Sequence, residues 1–142
     1  MKRLLLVGDT SLPEALGSKL LRGFKSLDIS NSWNIDVTYH SPASKFSPSM
    51  QNISGKIFFR LADKRSWEWW GFQQSLQNQI EALKPDLILV TGVLPLKNEV
   101  FAEAKKHGCL ITNYLTDDPW NPIHKRQIFL SNIKSYHHIF ST

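Results

Sequence analysis

The chain has 142 residues, 42% of them apolar, and carries 17 Lys and Arg against 12 Asp and Glu for a formal charge of +5. That length and apolar share suit one globular domain with a sizeable core and exclude a disordered chain. No apolar run is long enough to span a membrane, and a single cysteine, Cys109, excludes an internal disulfide.

Arg3–Val7 is a short continuous apolar run and predicts a buried parallel strand. The run is too short for a signal peptide, meets Asp9, and has no small-residue cleavage site behind it; a cytoplasmic protein is expected. Gly8–Ser11 reads as a loop. Ser11 and Glu14 have capping-box spacing and Pro13 suits a first turn, so a helix is expected from about Ser11. Leu12, Leu16, Leu20, Phe24 and Leu27 form its apolar stripe. Ile35–Tyr39 predicts the second strand. Residues 40–56 are rich in serine, with Pro42 and Pro48, and read as a long loop; Ile57–Arg60 is a third, short strand candidate.

Trp67, Trp69, Trp70 and Phe72 lead into a helix with Leu76, Ile80 and Leu83, stopped by Pro85. Aromatics at that spacing point to core or interface packing before a ligand box. Leu87–Val90 is the clearest buried strand. Thr91–Pro95 turns into a helix of Val100, Phe101 and Ala104, which Gly108 stops. Lys105 and Lys106, in its last turn, complement the helix dipole. Leu110–Leu115 predicts a strand, Thr116–Pro122 a loop, Ile123–Tyr136 a helix with Phe129, Ile133 and Tyr136 on one stripe, and His138–Ser141 a final strand. The chain stops on that strand, so it is expected to be a fragment of a longer protein.

Strands alternating with helices predict an α/β fold: a three-layer, mostly parallel Rossmann-like sheet with right-handed crossovers, one domain over residues 1–142. Ligands of such sheets bind at the carboxyl ends of the strands. Three loops converge there. The first carries Gly8, Asp9, Thr10 and Ser11, the second Gly92, and the third Asp117, Asp118 and Trp120. Adjacent carboxylates suit acid/base work or the holding of sugar hydroxyls, and one pKa rises if the site is dry. Asp before Pro also starts a plain turn, and both readings of Asp117-Asp118-Pro119 stay open.

Other chemistries find little support. Gly8 is followed next by Gly17, too far on for a dinucleotide fingerprint, and no phosphate-gripping P-loop is present. A receiver domain would want an acidic pair after the first strand; only Asp9 stands there, and Asp86 opens a strand instead of ending one. His137 and His138 are neighbours that point to opposite faces of a strand, and His40, His107 and His124 are isolated, so no metal site is expected. Cys109, at a strand start, reads as a buried, inert thiol. The paired bases Lys2-Arg3, Lys64-Arg65, Lys105-Lys106 and Lys125-Arg126 are scattered and lack interleaved aromatics, so nucleic acid is not an expected partner.

Two stretches carry a family resemblance. Leu83-Lys84-Pro85-Asp86-Leu87-Ile88-Leu89-Val90-Thr91-Gly92 is similar to a strand of the two-domain GT-B glycosyltransferases. Leu115-Thr116-Asp117-Asp118-Pro119, with the helix and His138–Thr142 strand behind it, resembles the corresponding loop of the spore-maturation-protein (CgeB-like) glycosyltransferases. The resemblance implies the N-terminal, acceptor-side half of an enzyme that transfers a sugar from a nucleotide-sugar co-substrate to an acceptor hydroxyl. It needs no other cofactor and no metal, since a helix dipole and basic residues can neutralise the leaving diphosphate. The donor-binding C-terminal domain is absent from the sequence and would be the missing partner; the isolated domain is expected to be inactive. Asp117 would orient or deprotonate the acceptor hydroxyl, Asp118 would partner it, the Gly8–Ser11 loop would face the leaving phosphate, and Trp120 would stack on a sugar ring or pack at the rim. The competing expectation is a non-enzymatic α/β binding or interaction module that docks a partner on the Trp67–Trp70 aromatics. A flavodoxin-like nucleotide or flavin binder is a third.

Overall fold

A computed structural model describes residues 1–39 and 70–142. Its strands are β1 (Lys2–Gly8), β2 (Trp33–Tyr39), β3 (Leu87–Thr91), β4 (Leu110–Leu115) and β5 (His138–Ser141). The helices are α1 (Leu16–Ser26), α2 (Trp70–Leu83), α3 (Asn98–Lys106) and α4 (Gln127–Asn132), with single 3-10 turns at Ile29–Asn31 and Ile133–Ser135. All four strand pairs are parallel, in the order β2-β1-β3-β4-β5. The expected α/β, Rossmann-like sheet is thus present. The order is that of doubly wound sheets whose direction of winding reverses between β1 and β3. The strand expected over Ile57–Arg60, the serine-rich loop, and Trp67 and Trp69 lie outside the described residues.

Alternation along the strands divides the core. Leu5 and Val7 of β1, Ile88 and Val90 of β3, and Ile111 and Leu115 of β4 share one face. Phe72, Leu76 and Ile80 of α2, Val100, Phe101 and Ala104 of α3, and Phe129 of α4 pack on it as one cluster with Tyr136. Leu4 and Leu6, equally buried, point to the other face. Helix α1 lies outside that cluster and touches β1. A right-handed crossover from β1 out to β2 demands the opposite layer for α1 from that of α2–α4, because the direction of travel reverses.

The amino edge is knotted by one residue. Arg3 N donates to Asp86 Oδ2 at 2.7 Å, Arg3 Nη1 donates to the Leu83 carbonyl at 2.9 Å, and Arg3 Nε pairs with Asp36 Oδ2 at 3.3 Å. These contacts tie β1, β2 and the α2–β3 connection together. Cys109 is buried just before β4; burial, and secondarily the charge of Asp86, push its thiol pKa up, as an inert core cysteine requires.

Two helix boundaries depart from the pattern. Helix α1 begins at Leu16 behind an Ala15 N-cap with no side-chain cap, not near Ser11. The Ser11 amide and hydroxyl are engaged by Asp9 instead, and Ala15 N closes a turn on the Leu12 carbonyl; local side-chain bonding competes with the capping box. The helix expected over Ile123–Tyr136 is α4 plus a 3-10 turn, because Asp118 and Asn121 hold residues 118–125 in turns. Its predicted stripe still faces inward, with Phe129 and Tyr136 buried and Ile133 packed against them. Among the described residues, no helix is long and apolar enough to cross a membrane.

Candidate functional site

At the reversal of winding the β1 and β3 loops part, one toward α1 and the other toward α3, and open α/β sheets bind their ligands at such a switch point. Val7 pairs with Val90 and Thr91 with Tyr114, so Gly8, Thr91 and Tyr114 lie level across three adjacent strands. The Gly8–Ser11 and Gly92–Lys97 loops therefore face each other across the switch point. The Thr116–Trp120 loop stands one strand further, two interstrand spacings or about 10 Å from the first. The structure thus brings the three sequence-predicted loops to one edge.

Close packing of backbone shapes the first loop. A Cβ on Gly8 would lie 2.5 Å from Thr91 Oγ1, whose hydroxyl donates to the Val7 carbonyl at 3.3 Å. Gly17, in the first turn of α1, lets the helix rest on the Asp9 carbonyl; a Cβ there would collide with that backbone oxygen. Gly17 does for this loop what the last glycine of a dinucleotide fingerprint does, close helix–strand packing, at a spacing the fingerprint does not contain. Asp9 Oδ1 accepts from the Ser11 amide at 2.8 Å and its hydroxyl at 2.6 Å. Asp9 and Ser11 thus brace the loop, and Thr10 between them is half-buried. Gly92, at φ +72°, adopts the left-handed turn that leads β3 into the opposite wall.

The third loop separates the two acids. Asp118 Oδ1 accepts from the Trp120 amide at 2.9 Å and its carbonyl accepts from Asn121 N at 3.2 Å, so Asp118 builds the turn. Asp117 is 45% exposed, accepts from Thr116 Oγ1 at 3.2 Å, and has His124 Nε2 3.9 Å from Oδ1. Both carboxyls face solvent, so the dry environment that would couple them is missing. Asp117 takes no part in building that turn and stays open to solvent at this edge. The turn presents Trp120, 65% exposed, and Ile123, 74% exposed, beyond the sheet, and Leu12 is exposed on the β1–α1 connection.

Three residues that the sequence reading passed over hold the second wall. Gln73, on α2, donates from Nε2 to the Pro95 carbonyl at 2.8 Å and accepts the Lys97 amide at 3.1 Å. Asn113, in the middle of β4, donates from Nδ2 to the Gly92 carbonyl at 2.9 Å. Asn132, at the end of α4, donates from Nδ2 to the Leu96 carbonyl at 3.0 Å. All three are buried. The signal was available: each is a carboxamide in an apolar stripe, Gln73 with Leu76 and Ile80, Asn113 between Ile111 and Leu115, and Asn132 beside Phe129 and Ile133.

Among the described residues, no group of three or more His, Cys, Asp or Glu is placed to hold a metal ion. His137 takes the Ile111 amide on Nδ1 at 3.0 Å, while His138 is exposed beside Phe140. No protein-family profile and no curated protein sequence matches the chain.

Proposed function

We propose that this chain is the acceptor-side half of a GT-B glycosyltransferase of the CgeB-like type, moving a sugar from a nucleotide sugar to an acceptor hydroxyl. The observation that carries the reading is the shared carboxyl edge: a close-packed β1 turn, the Gly92 turn, and one strand away an exposed carboxylate, Asp117, beside an outward tryptophan. Asp117 takes the hydroxyl proton as the acceptor oxygen attacks the anomeric carbon, and the bond to the nucleoside diphosphate breaks with its electron pair leaving on the phosphate. Asp118 sets the turn that holds Trp120, whose face is free to stack on a sugar ring. Gly8, Asp9, Thr10 and Ser11 face the leaving phosphate.

In the full-length enzyme, Asp117→Asn is expected to lower kcat about 100-fold or more, the scale of a lost general base. Trp120→Ala is expected to raise the acceptor KM and leave kcat nearly unchanged. Initial-rate assays with a panel of nucleotide sugars and acceptors check both; a wild-type rate in Asp117→Asn removes that residue from the chemistry.

The strand order itself favours a second reading, a non-enzymatic binding module. The order β2-β1-β3-β4-β5 is shared with flavodoxin-like domains that seat a flavin nucleotide at this same switch point. Fluorescence titration with flavin mononucleotide tests it: saturable quenching supports the binder, and its absence removes the flavin version.

A further inference from the structure

The described residues bury three side-chain carboxamides, Gln73, Asn113 and Asn132, and all three bond to one loop. They come from α2, β4 and α4, elements far apart in the chain, and between them they fix Gly92 O, Pro95 O, Leu96 O and Lys97 N. Each amide gives backbone groups of that loop partners they would otherwise lack, and a buried backbone group left unpaired is destabilising. The three amides also supply geometry. Four backbone atoms of a six-residue segment are held from three directions, and that segment is one wall of the switch-point crevice. The facing wall has a different character, braced by the exposed Asp9–Ser11 turn.

We propose that Gln73, Asn113 and Asn132 are positioning residues that lock the Gly92–Lys97 loop as the preformed wall of the binding crevice, so that a ligand meets a fixed backbone surface on the β3 side. The inference needs a ligand at the switch point and does not depend on that ligand being a sugar acceptor.

The test uses volume-conserving apolar variants, Gln73→Met, Asn113→Leu and Asn132→Leu, in the complete chain. Two quantities are read for each: the urea unfolding midpoint and the native-state hydrogen exchange of the Gly92, Leu96 and Lys97 amides. The expected result is a somewhat lowered midpoint, from the orphaned backbone group, with loop exchange faster than that loss accounts for by about fivefold or more, the worth of one net hydrogen bond. The three positions lie on separate elements, so a variant that fails to fold leaves two that report. Loop exchange at the wild-type rate in the folded variants overturns the proposal. So does exchange that rises only in step with a fallen midpoint, and so does failure of all three to fold, since each makes the amides ordinary core supports. None of these outcomes touches sugar transfer, and loss of transfer in Asp117→Asn says nothing about the loop.

Discussion

A methyl group on Gly8 would have to displace the Thr91 side chain, whose hydroxyl already bonds back to β1. Gly8→Ala is therefore expected to cost about 1–3 kcal/mol, the range for overpacking. Thr91→Ala in the same chain removes the colliding atoms and should recover most of the loss, which a double-mutant cycle by urea unfolding measures. Tyr136 poses a different residue-scale problem. Its hydroxyl is buried beside the Asn113 side chain, and burial pushes its pKa well up, an effect that hydrogen bonding by the Asn113 carboxamide only partly offsets. The folded state keeps the phenol proton while the unfolded chain loses it above its ordinary value of 10.0. Stability is thus fully present below that pH and falls as pH rises beyond it. Tyr136→Phe should remove that alkaline loss and be neutral or slightly stabilising at pH 7, as denaturation midpoints from pH 7 to 11 would show.

The helices differ in what they contribute. Helix α2 sends Leu76 and Ile80, both fully buried, into the main cluster, and α4 adds Phe129. Helix α1 keeps Leu16, Leu20 and Phe24 only half-buried. Ile80→Ala is expected to cost about 2–5 kcal/mol by opening a cavity under β1 and β3, and Leu20→Ala clearly less; chemical denaturation of the pair compares the two layers. The boundaries of α1 and α4 follow the same logic of local competition. The Asp9 carboxylate reaches the Ser11 amide within two residues, and the Asn121 side chain reaches that of Ile123. Both bonds form without long-range help, and each takes residues that the apolar spacing alone assigns to a helix.

At the scale of the whole molecule, the described parallel sheet, with α1 on one face and α2–α4 on the other, reverses its winding between β1 and β3, where sheets of this kind bind ligands. A ligand seated there touches loops that lead into both helical layers. It should stabilise the entire fold, by about 2.7 kcal/mol at a hundredfold excess over Kd. Thermal unfolding with nucleotide sugars and free sugars checks this, and a midpoint unmoved by every compound argues against occupancy of the crevice by that class. The exposed Trp120 and Ile123 lie at the same edge and do not belong to the core.

The aliphatic runs Leu4–Val7, Leu87–Val90 and Ile111–Leu115, with helical stripes between them, determined the α/β class by themselves, because strand and helix periods are local properties of a chain. The outgoing loops with Gly8, Gly92 and Asp117 were legible for the same reason: each directly follows a strand. Only the tertiary structure decided that the winding reverses between β1 and β3, that Asp118 is a turn former while Asp117 stays open, and that Gly17 seats a helix on the Asp9 carbonyl. It alone joined Gln73, Asn113 and Asn132 at one loop. Their partners lie 21 to 36 residues away, the span from Asn113–Gly92 to Asn132–Leu96. A contact across that separation depends on how layers stack, which no local pattern of polarity encodes.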